Sequence, residues 1–241
     1  MTDNAAPPGP TGEMISFAAE GHTLEGYLVR PAVMSGNAPG VLVIHEAFGL
    51  TEPIKAVAER FAAAGYVALA VDLFTNQNKV VCMARMTQGI FMNSLEHQGV
   101  RDTRAALGVL GELPGVDASR LGAIGFCMGG GLAIALACTD HRVRAVAPYY
   151  GFNPRPLEAV CRACPVVGSY PEKDFTLKQG LALEQELTAA NIPHDIKVYP
   201  GARHSFATAG PAFDGVASLD AWNRVMAFFD EHVVGSGEAK T

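Results

Sequence analysis

The sequence predicts an α/β fold: a mainly parallel β-sheet, an antiparallel hairpin at its start, and helices on both faces. Three observations predict it. Strand-like and helix-like segments alternate along most of the chain. Runs such as Gly40–His45 (GVLVIH) are short and continuously apolar, as strands buried on both faces are. Two strand-like segments near the start flank a Glu-Gly-His turn and read as a hairpin.

In order, Met14–Ala18 and Thr23–Arg30 form the hairpin, and Gly40–His45 is the first buried strand. Glu52–Ala64 reads as a helix, with Ala56, Phe61 and Ala64 among its apolar positions, stopped by Gly65. Tyr66–Val71 returns as a strand, and an irregular stretch follows from Phe74 to about Glu96. Val100–Leu113 is helical, Leu121–Phe126 a strand, and Met128–Cys138 a helix of small residues. Arg144–Tyr149 and Pro165–Gly168 are strands, and Thr176–Ala190 is a helix with Thr176 as its candidate cap. Asp195–Tyr199 is the last strand, and Leu219–Val233 is a closing amphipathic helix. The expected organisation is a flexible tail over 1–13, one domain over 14–234 and a frayed tail over 235–241.

Composition narrows the function. Of 241 residues, 49% are hydrophobic and 17% charged, enough apolar material for a substantial core, which excludes wholesale disorder. The formal net charge of −6 and the lack of any Lys/Arg-rich run argue against a nucleic-acid partner, since neutralising phosphates needs a basic face. No apolar run is long enough to cross a bilayer, and the start MTDNAAPPGPTGEM lacks the basic and apolar regions of a secretory signal. Five cysteines without an export signal fit a reducing cytoplasm with free thiols. Cys82 and Cys138 read as small buried hydrophobes. The expected partner is a small molecule, with no membrane and no metal, and the assembly a monomer or homodimer.

Ligands of a parallel sheet bind at the carboxyl ends of its strands. Gly125, Cys127 and Gly129 form a G-x-C-x-G between a predicted strand and a predicted helix. Such a turn lifts a nucleophile into the open. Its glycines avoid collision with the neighbouring strand and helix. The helix N-terminus then aims free N–H groups at the site, which favours a thiolate on Cys127 and an oxyanion beside it. In α/β-hydrolases, acid and histidine follow the nucleophile in that order. His204 lies in a loop of turn-formers after the last strand, at its carboxyl end, whereas His141 and His194 fall on the opposite edge and His232 is late in the closing helix. The loop after Pro165–Gly168 offers Glu172 and Asp174, and the shorter Asp174 suits a fixed orienting role. The oxyanion donors expected are the N–H groups of Met128 and Ala47. Glu46, a carboxylate at the end of an apolar strand, is costly unless paired or functional.

HEAFG from His45, GFCMGG from Gly125, GSYPEKD from Gly168 and YPGARHSF from Tyr199 stand in order at matching strand ends. Together they resemble the dienelactone hydrolase family over about Met14–Val233. The resemblance implies an α/β-hydrolase fold, a Cys-His-Asp triad and no cofactor. It makes Cys127 the nucleophile, His204 the base and Asp174 the acid. It makes Ala47 and Met128 the oxyanion donors, and Glu46 a residue that contacts the resting thiol and helps ionise it when substrate arrives. Phe48 matches a pocket wall, and Tyr150 falls in a Tyr-Tyr-Gly stretch near the site. The implied activity is hydrolysis of an ester or lactone.

Two departures stand out. The best-known members bind a substrate carboxylate with two arginines. This chain has Thr208 at one of those positions, four residues after His204, and Arg85 is the nearest candidate for the other. His45 replaces a glutamine. Competing readings are a general carboxylesterase or thioesterase of the same fold, a thiol redox or metal-binding protein built on Cys161 and Cys164, and a non-catalytic binding module. The methionines and Phe91 between Phe74 and Glu96 read as helical core in preference to pocket lining.

Overall fold

The structure, a computed structural model, describes residues 11–34, 36–75, 95–208 and 210–235. Among the described residues eight strands form one sheet: β1 Thr11–Ala19, β2 His22–Arg30, β3 Ala38–Ile44, β4 Val67–Asp72, β5 Val116–Phe126, β6 Val143–Tyr149, β7 Val166–Lys173 and β8 His194–Arg203. Their spatial order is β1-β2-β4-β3-β5-β6-β7-β8. β1 pairs antiparallel with β2, and β2 antiparallel with β4. Every other pairing is parallel. This is the α/β-hydrolase architecture expected from the sequence. Order reverses around β3: the chain steps one way to β4, then crosses back to β5 on the far side, and the crevice left there is where parallel sheets bind ligands.

Five α-helices cover the sheet among the described residues: α1 Glu52–Ala63, α2 Gln98–Glu112, α3 Met128–Thr139, α4 Leu177–Ala189 and α5 Gly215–Phe229. The alternation of β3 shows why two layers are needed. Leu42 and Ile44 point into a cluster with Leu107 and Leu110 of α2, Leu132 of α3 and Leu183 of α4. Val41 and Val43 point the other way, against Phe61 of α1 and Val225 and Phe229 of α5. Phe61 and Phe229 are fully buried, so truncating either to Ala costs about 3–5 kcal/mol. No helix among the described residues is long and apolar enough to cross a membrane.

Several boundaries differ from the sequence expectation for identifiable reasons. β1 begins at Thr11, inside the stretch read as tail, because backbone pairing with Arg30 does not require apolar side chains. α2 begins at Gln98 because the imidazole of His97 caps it, Nδ1 accepting from the Gly99 N–H at 3.1 Å. β7 and β8 run past Pro171 and Pro200 to Lys173 and Arg203, with a register shift between Pro171 and Lys173. Proline is tolerated at Pro200 because β8 is the edge strand. α5 starts at Gly215, capped by Asp214, whose Oδ1 accepts from the Val216 and Ala217 N–H groups. A π-helical turn, Asp230–Val234, continues it. Arg85, Cys82, Met83, Met86, Phe91 and Met92 lie outside the described residues.

Candidate active site

Cys127, His204, Asp174 and Glu46 follow β5, β8, β7 and β3, so all four stand at the carboxyl edge of the sheet. Cys127 has φ 53° and ψ −112°, a left-handed conformation a non-glycine residue rarely holds. Its N–H donates to the Tyr149 carbonyl at 3.0 Å, tying the turn to β6. Two glycines make the turn possible. A Cβ on Gly125 would collide with the Gly129 carbonyl, and one on Gly129 with the Ile44 and His45 carbonyls. α3 therefore starts directly against β3 and β5.

The Cys127 sulfur is faced by the backbone N–H groups of Met128 and Ala47, both of which favour its ionised form. They are outweighed. Burial, with the Glu46 and Asp174 carboxylates adding to it, pushes the thiol up to about 11. Burial and the two nearby anions outweigh the pull of the helix N-terminus toward a thiolate, and the resting sulfur keeps its proton. No hydrogen bond joins Cys127 to His204 or to Glu46 in this conformation among the described residues.

His204 and Asp174 do meet. His204 Nδ1 donates to Asp174 Oδ2 at 2.7 Å, with the Asp174 side chain 2% exposed. Register explains the pairing: Lys173 lies opposite Arg203, so the residues that follow are neighbours. With Nδ1 committed, Nε2 is the ring's free basic nitrogen. Thr176 does not cap α4 with its side chain. Its hydroxyl donates to Asp174 Oδ2 at 2.6 Å, which fixes the carboxylate beside the imidazole. Glu172, the other acid in that loop, instead accepts from the Gly201 N–H at 2.9 Å. Phe175 stacks on His204 with ring centroids 4.9 Å apart, and Tyr150 packs on it at 4.8 Å.

Glu46 is 8% exposed and held by hydroxyls. Its Oε1 accepts from Ser205 Oγ at 3.0 Å and from Tyr150 Oη and Thr208 Oγ1 at 3.3 Å each. Thr208 thus turns its hydroxyl to Glu46 where the resemblance expects an arginine. Tyr150 is fully buried and supports Glu46 from beside His204. Phe48 stands 69% exposed in the loop after β3. His45 is fully buried between its neighbours: Nε2 accepts from the Leu73 N–H at 3.0 Å, and Nδ1 donates to the Glu46 carbonyl at 2.6 Å. It clamps the ends of β3 and β4 and fixes the backbone from which Glu46 and Ala47 project. Sequence reasoning missed the roles of His45, Thr176, Ser205 and Phe175. Only the position of Phe175 and Ser205 beside predicted catalytic residues offered a signal.

Cys161 lies in a short 3₁₀ turn, Leu157–Arg162, and Cys164 follows two residues after its end. Both are free thiols. The pair does not open an α-helix, as a redox Cys-x-x-Cys does, and no group of three His, Cys, Asp or Glu suited to a metal occurs among the described residues.

The model of the dienelactone hydrolase family matches residues 24–233. The "Putative carboxymethylenebutenolidase" of Yersinia pestis is 29% identical over 239 residues, covering 92% of this chain and 88% of its own. A solved putative dienelactone hydrolase from Klebsiella pneumoniae superposes with a TM-score of 0.82 at 25% identity, covering 93% of this chain and 100% of its own. P91, a dienelactone hydrolase-like promiscuous phosphotriesterase from metagenomic libraries, gives a TM-score of 0.83 at 25% identity, covering 93% and 99%.

Proposed function

The chain belongs to the dienelactone hydrolase family and is a hydrolase; within that family, we propose that it cleaves an ester or lactone through a thioester on Cys127, served by His204 and Asp174. The observation that carries this reading is the 2.7 Å bond between His204 Nδ1 and Asp174 Oδ2, made at the same sheet edge as a strained, N–H-flanked Cys127. A buried carboxylate on Nδ1 holds the imidazole in the tautomer that presents Nε2 as a base, and stabilises the imidazolium when it forms.

The resting thiol is protonated, so ionisation belongs to the catalytic cycle. As substrate arrives the thiol proton passes to His204 Nε2, a transfer that Glu46 assists by the family resemblance, although at rest its charge opposes ionisation of the sulfur. The thiolate attacks the carbonyl carbon and the π electrons move to oxygen. The N–H groups of Ala47 and Met128 hold that oxyanion, and removing one such donor typically costs roughly 2.7–4 kcal/mol of barrier. Collapse expels the alkoxide, which takes a proton from His204 where it needs one. A water deprotonated at Nε2 then attacks the thioester, releasing the acid and restoring the thiol.

Cys127→Ala tests the reading. Turnover of 4-nitrophenyl butyrate and of a five-membered enol lactone should vanish while the melting temperature stays near that of the unaltered chain. Full turnover in the variant rejects the nucleophile. Comparing aryl ester, lactone and thioester substrates then separates lactonase from general esterase or thioesterase.

A further inference from the structure

Asn153 carries an orphaned acceptor. It lies three residues after Tyr150, is 9% exposed, and is fixed at two points to α4. Its N–H donates to Gln179 Oε1 at 3.1 Å, and its Nδ2 donates to the Gln179 carbonyl at 2.8 Å. The second bond settles the orientation of the amide, because only the NH₂ end can donate to a carbonyl. Oδ1 is therefore the other end, and it has no hydrogen-bond partner. A buried acceptor left unpaired costs about 1–3 kcal/mol, which makes it a feature that needs a partner.

The surroundings narrow the choice of partner. Asn153 lines a cavity of about 10 Å³ with His97, Met128, Gly131 and Phe152, room for one water-sized group. Met128 supplies an N–H to the Cys127 sulfur. Phe152 stacks on Phe175 at 5.7 Å, and Phe175 stacks on His204. The cavity is thus joined to the candidate reacting centre from two sides. Its other polar wall is His97. Nδ1 of that ring accepts from the Gly99 N–H, so in the neutral ring the hydrogen sits on Nε2. Burial, with Arg101 nearby, holds the ring below its ordinary value and so keeps it neutral. One wall accepts and the other donates, and neither is charged. A hydroxyl complements both. A wider surface groove of about 260 Å³, lined by Phe152, Asn153, Leu157 and Gln179, adjoins on the other side.

We propose that Asn153 Oδ1 and His97 Nε2–H form a subsite for a hydroxyl group on the substrate, so that the favoured ester or lactone is a hydroxylated one. The proposal rests on Cys127 and Met128 marking the reacting centre, but its test does not depend on turnover.

The test is equilibrium binding of uncleaved amides to the intact chain. N-benzylbutanamide is titrated against its 2-, 3- and 4-hydroxy analogues by calorimetry. One hydroxylated isomer should bind roughly fivefold tighter than the parent, the equivalent of one net hydrogen bond. Asn153→Leu, close in volume, should abolish the preference. His97→Asn keeps an acceptor for the Gly99 N–H and loses the ring donor, and it should reduce the preference; it stands in if Asn153→Leu does not fold. Equal binding of all four amides, or a preference that survives both substitutions, overturns the subsite and leaves the cavity to an ordered water. A preference found in a chain that cleaves no ester keeps the subsite and rejects the hydrolytic reading of Cys127 alone.

Discussion

Cys127 and Cys138 sit at opposite ends of α3, and in acidity they are nearly alike. Burial pushes one thiol up to about 11 and the other to about 12. Their settings are not alike. Cys127 precedes the helix in a left-handed turn, faces two N–H groups, and lies near two carboxylates. Cys138 lies within the last helical turn, on the core side, with the Arg162 guanidinium as its charged neighbour. The difference teaches that reactivity here is not stored in a depressed resting acidity. It is stored in geometry: what the sulfur meets once its proton has gone.

The largest expected contrast follows directly. Cys127→Ala should lower kcat/KM for 4-nitrophenyl butyrate by at least about 10³-fold, and Cys138→Ala should change it by no more than about twofold. A comparable loss in both breaks the contrast, because it makes α3 packing the cause. Next comes the acid. Asp174→Asn should lower kcat by roughly 10³–10⁴-fold, whereas Glu172→Gln, two residues away on the same strand end, should stay within about threefold by steady-state kinetics.

A smaller effect concerns ionisation. The rate of iodoacetamide labelling at Cys127 should climb about tenfold per pH unit between pH 8 and 10, still short of the thiol's pKa. The Glu46 charge raises that pKa, so Glu46→Gln should move the curve to lower pH and speed labelling at pH 8. A superimposable curve leaves Glu46 a structural residue. The smallest effect is on stability. Native Cys127 and Cys138 hold their protons above the ordinary thiol value of 9.0, while the unfolded chain releases them. Stability is therefore fully present below about pH 9 and is lost as pH rises toward 12. Denaturant melts at pH 8 and 10 should show the fall, and Cys138→Ala should shrink it.

Strand ends made most of the site legible. An apolar run followed by a polar residue marks where a parallel strand delivers a side chain, and Cys127, His204 and Asp174 were nominated from such ends. Supports were not legible, because they depend on contacts between segments far apart in sequence. Thr176 reads as a helix cap, a local property, yet its hydroxyl goes to Asp174. Thr208 reads as a missing arginine, yet it braces a glutamate 162 residues earlier. The pull of the helix N-terminus on Cys127 is visible in sequence, while the burial and the approach of Glu46 and Asp174 that outweigh it are not. β8 was cut short at Pro200, which its edge position allows, and β7 was ended at Gly168 although it runs on through Pro171 with a register shift.

The most direct measurement is rapid-quench mass spectrometry of the chain mixed with saturating 4-nitrophenyl butyrate, with fragment ions that separate Cys127 from Cys138. A single butyryl group on Cys127, formed within the first turnover, is the predicted result. Butyryl found on a different side chain, or turnover undiminished once Cys127 is replaced by Ala, contradicts the assignment.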